Sequence, residues 1–220
     1  MRSAAPTAAL GRRLEGLADR RGDADERFFA PEAERIARLC HAMAERFARG
    51  GRLIAVGGSP GARSDVRHVA VEFVHPVIVG KRALPAIGLA ETEGAAAVRD
   101  LARADDIVMA VGTDRADPEA AAALRAAAEA GCLTVALWPA GADWDLAPAD
   151  DDPFVRQELG ETLYHVLWEL VHVFFEHRGL LEGRESRAGH DSGASAFLYP
   201  FLAEQEHDLE AVVATCASRC

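Results

Sequence analysis

Residues 52–74 read RLIAVGGSPGARSDVRHVAVEFV, and this stretch decides the fold. Arg52 to Val56 is a short apolar run, the pattern of a strand buried on both faces. Gly57-Gly58-Ser59-Pro60-Gly61 then predicts a turn or loop. Ser64 suits the cap of the next helix, with Asp65 in its first turn, where the helix dipole favours negative charge. That helix is expected to end near His75, because Pro76 disfavours helical geometry in the residue before it. A buried strand, a glycine turn and a helix are the opening of a βα unit.

The alternation continues on both sides. Upstream, a helix is predicted over residues 31–49, with Pro31 in its first turn. Ile36, Leu39, Cys40, Met43 and Phe47 give it an apolar stripe, and Gly50 and Gly51 end it. Downstream, strands fit residues 86–90, 106–111 and 133–138, with helices over 94–104 and 118–130. The acidic loop 141–153 has room for one short strand near Trp144, and the longest helix follows, from about Pro153 to His177. The fold class is therefore α/β: a doubly wound parallel sheet of about five strands flanked by helices, with a long C-terminal helix. The flavodoxin-like order puts the second strand at one edge, then the first, third and fourth, with ligands beyond the carboxyl ends of the strands.

Three regions are expected: a helical or flexible leader over 1–30, the α/β domain over 31–178, and a linker with an amphipathic tail over 179–220. The tail carries Phe197, Leu198, Tyr199, Phe201 and Leu202, then Leu209, Val212 and Val213. Such a cluster either docks on a neighbouring surface or binds a protein partner.

The 220 residues are half apolar, enough for a substantial core. Lys plus Arg number 24 against 35 Asp plus Glu, a net charge of −11, which argues against nucleic acid as a partner. No stretch of 18 uninterrupted apolar residues suggests a membrane span, and the Ala- and Arg-rich beginning lacks the compact apolar core of a secretory signal. A cytoplasmic protein is the expectation. Cys40 and Cys132 lie in apolar patterns and read as core residues; Cys216 and Cys220 would need two further ligands to form a metal site.

Two spacings bear on chemistry. His68 and Glu72 are four apart and share a helix face. On the long helix, Gln157, Glu161, His165 and His172 form a polar stripe beside Leu163, Val166, Leu167, Leu170 and Phe174. Such a stripe either faces solvent or lines a site. The spacing alone leaves both readings open.

The run GGSPGARSDVRHVAVEFV resembles the signature helix of the phosphoheptose isomerases, a family of sugar-isomerase (SIS) domains. There a GGS turn after the first strand is followed by an Asp and then His-x-x-x-Glu; here these are Asp65, His68 and Glu72. Gln157, Glu158 and His165 match the family's Gln-Glu and the His eight residues beyond the Gln. The likeness runs from about residue 31 to 177. It implies aldose–ketose isomerisation of a seven-carbon sugar phosphate. Glu72 would be the base that takes a proton from the carbon next to the carbonyl, and His165 would act from the opposite side. It also implies a divalent ion of the zinc type held by His68, Glu72, Gln157 and His165, and a substrate contacted by Gly58, Ser59, Asp65, Thr113 and Gln157. Eight residues between Gln157 and His165 span about 12 Å of helix, so a site shared between protomers, and hence a homo-oligomer (dimer or tetramer), is expected.

The chain departs from the family at the loops. Val56 stands where an Asn usually precedes the GGS, and three extra residues precede Asp65. After the third strand the family has a Ser/Thr-rich loop that holds the substrate phosphate. This chain has Gly112, Thr113, Asp114, Arg115, Ala116 and Asp117. The aspartates either oppose a phosphate there or simply cap the helix beginning at Pro118. Glu91-Thr92-Glu93 makes the loop after the second strand acidic as well. The alternative to an isomerase is therefore a non-catalytic SIS-domain protein, sensing a sugar phosphate or assisting metalloenzyme maturation.

Overall fold

The computed structural model describes residues 4–76, 78, 81–90, 94–112, 117–176, 181 and 209–218, with side chains from residue 9. Thr113 to Ala116, Glu91 to Glu93, the cluster Phe197 to Leu202 and Cys220 lie outside the described residues. The elements are α1 (Ala4–Ala48), β1 (Leu53–Val56), α2 (Pro60–Val74), β2 (Ala86–Leu89), α3 (Gly94–Leu101), β3 (Ile107–Ala110), α4 (Pro118–Glu129), β4 (Leu133–Ala136), β5 (Trp144–Asp145), α5 (Pro153–Glu176) and α6 (Leu209–Ala217).

The five strands form one sheet in the order β2-β1-β3-β4-β5, every pair parallel. Leu53 pairs in register with Ala86 on one side and Ile107 on the other. The strands are read twice, once for each face, because successive side chains point to opposite sides. Leu53, Ala55, Ile107, Met109, Leu133 and Val135 enter a core with α1, α2 and α5. Ile54, Val56, Val108, Ala110 and Ala136 enter a second core with α3 and α4. Each face of the sheet thus has its own helical layer, as the unbroken apolar runs require.

Two helix starts differ from the sequence reading. Pro31 does not open a helix; it lies inside α1, which runs unbroken from Ala4. A mid-helix proline loses one backbone hydrogen bond, but buried Ala24, Phe28, Phe29 and Ala33 anchor the segment on both sides of it. The second correction concerns α2, which begins at Pro60 and is capped by Ser59, whose side chain accepts from the Ala62 amide. Ser64 lies within the helix. Ser at the cap with Pro next to it is a start signal stronger than the turn suggested by Pro-Gly.

The tail helix α6 docks on its own chain. Val212, Val213 and Cys216 are buried against the larger core, and Arg38 of α1 forms an ion pair with Glu210. Among the described residues no helix is long and apolar enough to cross a membrane.

Candidate active site

The geometry begins with α2. Its four-residue spacing stacks His68 and Glu72, and His68 Nε2 stands 3.5 Å from Glu72 Oε1. From α5, His165 brings Nδ1 to 3.8 Å from the same oxygen. One carboxylate oxygen therefore lies between two imidazoles from different helices, whose ring centres are 5.1 Å apart. Glu72 is sheltered, with 15% of its side chain exposed, while His68 and His165 are 45% and 43% exposed. The carboxylate forms the floor of a notch and the imidazoles its half-open walls.

Tyr164 orders this notch from behind. It is fully buried, and its hydroxyl is 3.0 Å from His68 Nδ1. Burial, followed by the charges of Glu161, Asp65 and Glu72, holds the phenol well above its ordinary pKa, so the hydroxyl keeps its proton. A neutral His68 that donates Nδ1–H to Tyr164 has its Nε2 lone pair free beside Glu72.

Gln157 is engaged with two carboxylates outside the trio. Its amide nitrogen donates to Asp65 Oδ1 at 2.8 Å and to Glu161 Oε1 at 3.1 Å. Asp65 is buried, and burial raises its carboxyl pKa above the ordinary value. The Gln157 hydrogen bond pulls the other way, Glu161 raises it further, and His68 lowers it. Glu158 is tied by both oxygens to Arg21 of α1, with contacts of 2.5 and 2.9 Å. His172, the last member of the polar stripe, is buried with Nδ1 and Nε2 each 2.8 Å from a carbonyl, those of Trp168 and Arg82. It braces the α5 packing and takes no part in the notch.

The donor set suits a divalent ion. Ligand atoms of His68, Glu72 and His165 all lie within 4.8 Å of one another. Tetrahedral zinc with bonds of roughly 2.0–2.1 Å spaces its ligands about 3.4 Å apart. The two imidazole–carboxylate separations, 3.5 and 3.8 Å, approach that spacing. Two imidazoles and a carboxylate are ordinary zinc ligands, so these residues fit the group.

At the other end of α2 lies the crevice beyond the strand ends. Gly57 packs so closely that a Cβ there would meet Ala62 Cβ at 2.7 Å and Val111 O at 2.9 Å. Asp117 caps α4, with Oδ1 accepting from the Ala120 amide at 3.0 Å. Its Oδ2 accepts from the Gly58 amide at 2.6 Å. Ser59 is engaged in capping α2.

Relatives give this arrangement its family. No family model matches the chain. The phosphoheptose isomerase of Solidesulfovibrio magneticus is 32% identical over 174 residues, covering 68% of this chain and 84% of that protein. The chain belongs to the phosphoheptose isomerase family. A second member, from Desulfovibrio desulfuricans, is 31% identical over 171 residues, covering 68% of this chain and 81% of its own. The fold agrees with that of solved phosphoheptose isomerases. The one from Neisseria gonorrhoeae has a TM-score of 0.63 at 20% identity, covering 74% of this chain and 98% of that one. The one from Francisella tularensis has a TM-score of 0.63, covering 73% and 96%.

Two features of the site were not legible beforehand. Tyr164 drew no reading from the sequence, and its signal was a phenol immediately before His165. The cap at Asp117 was one of the two readings of the acidic loop, but its reach to Gly58, 59 residues away, had no signal in the sequence.

Proposed function

We propose that this chain is an aldose–ketose isomerase acting on a heptose-type sugar phosphate, with Glu72 and His165 as its acid–base pair. The supporting observation is the notch in which Glu72 Oε1 lies within 3.5 and 3.8 Å of His68 and His165. Glu72 takes the proton from the carbon next to the carbonyl, giving an enediol, and returns it to the neighbouring carbon. His165, from the other helix, moves the proton between the two oxygens. A carboxylate has two oxygens, so one faces the imidazoles while the other handles the proton. A zinc-type ion held by His68, Glu72 and His165 would polarise the carbonyl. Asp65 and Gln157, hydrogen-bonded to each other, would meet sugar hydroxyls in this reading.

Glu72 lies twelve residues beyond Pro60, about 18 Å along α2, so the notch and the strand-end crevice of one protomer are far apart for a single sugar. A homo-oligomer that brings one protomer's crevice to another's notch is part of this reading, and sedimentation of the purified chain checks it.

The decisive test is proton NMR in heavy water with sedoheptulose 7-phosphate and other ketose phosphates, with and without zinc. Loss of the signal next to the carbonyl, or a new aldose, supports the reading. Exchange that continues unchanged in E72Q ends it. A second reading, a binding or accessory SIS-domain protein, is favoured by the closed crevice at Asp117; folded, zinc-loaded protein that exchanges nothing would select it.

A further inference from the structure

A doubly wound sheet takes anionic ligands where glycine-turn amides and helix N-termini converge beyond the strand ends. In this chain those donors have internal partners. The Asp117 carboxylate holds the Gly58 amide with one oxygen and the Ala120 amide of α4 with the other. Glu119, two residues on, has Oε1 2.9 Å from the Ala95 amide at the start of α3. Three elements thus deliver amides to one crevice, and two carboxylates of the protein occupy them. The glycine is part of the device: a Cβ on Gly58 would stand 3.1 Å from both Asp117 oxygens. The crevice is lined further by Val56, Leu89 and Ala123, and no Lys or Arg is among its described lining residues.

We propose that Asp117 is a built-in anion that closes this crevice to phosphoryl groups, so that the phosphate of a sugar-phosphate substrate is held outside it and only hydroxyl-bearing carbons enter. For where the substrate's phosphate goes, the proposal rests on the isomerase reading above; for the closed seat, it stands on the crevice alone. A phosphoryl dianion would have to displace a carboxylate from two amides and then remain beside it, like charge against like. A sugar hydroxyl meets no such repulsion and can donate to the carboxylate.

The test is a titration of inorganic phosphate into isotope-labelled protein, read by NMR at the backbone amide of Gly58. Wild type is compared with D117S and D117N. Ser and Asn both cap helices well, so the start of α4 is kept, and either variant serves if the other folds poorly. The expected result is a Gly58 amide that does not respond in wild type and binds phosphate about tenfold or more tightly in a variant, as removal of a like charge at hydrogen-bond range implies. A wild-type amide that responds as strongly as the variants overturns the proposal. So does a Gly58 amide that stays silent in every folded variant. The readout does not involve Glu72. A failed titration therefore leaves the acid–base reading standing, and a failed exchange assay leaves this proposal standing.

Discussion

The two ends of α2 are built from the same materials and finished in opposite ways. At its C-terminal end, Glu72 meets His68 and His165 in a half-open notch. At its N-terminal end, the Asp117 carboxylate is bound by two backbone amides. One carboxylate is presented to whatever enters; the other is used up by the fold. An acidic residue near a glycine turn and one near two histidines look equally promising in a sequence. What separates them is whether backbone donors reach the oxygens first.

The comparison gives graded expectations. E72Q should lower heavy-water exchange by about 10²–10⁴-fold, the usual range for a general base, while the circular dichroism spectrum and thermal midpoint stay near wild type. A large loss of stability would mean that Glu72 is a structural carboxylate like Asp117. D117A should do the reverse. It loses a helix cap and leaves the Gly58 amide unpaired, together about 2 kcal/mol in urea unfolding, with the notch intact. An unchanged urea midpoint would show that the crevice carboxylate is not structural.

Y164F tests whether the notch is ordered from behind. Removing the hydroxyl beside His68 Nδ1 should weaken zinc binding by about tenfold or more, as for other residues that orient a metal-ligating histidine, read by competition with a chelating dye. The His68 ring-nitrogen NMR shifts should change with it. Equal zinc affinity in both proteins would reduce Tyr164 to packing.

The smallest effect contrasts two histidines of α5. Unlike half-exposed His165, His172 is buried, and burial holds its pKa below the ordinary value of 6.5 despite the carbonyls at both nitrogens. The unfolded chain therefore takes up a proton at a higher pH than the folded one. Stability should be steady above about pH 6.5 and decline as pH falls below it. Urea midpoints at pH 7.5 and 5.5 check this, and H172Q should lose part of the difference. Asp106 is no rival in that window. Its burial is outweighed by Arg52 and two backbone amides, which lower its pKa, so its contribution fades only at more acidic pH.

Much of this was readable residue by residue. The apolar runs at 53–56, 107–110 and 133–136 had no polar alternation, so they had to be covered on both faces, and that forced helices onto each side of the sheet. The start of α2 was misread because Pro60-Gly61 looked like a turn. Ser59 and Pro60 together cap and seed a helix there, which lengthens α2 ahead of His68 and Glu72.

The sequence by itself determined the α/β alternation, the parallel sheet and the placing of His68 above Glu72, because these follow from unbroken apolar runs and the 3.6-residue period within single segments. Tertiary structure alone decided which groups meet across the chain: His165 with Glu72, Tyr164 with His68, and Asp117 with Gly58. Those pairs lie 59 to 96 residues apart. No local period connects such residues; their meeting depends on how α2, α4 and α5 pack around the sheet.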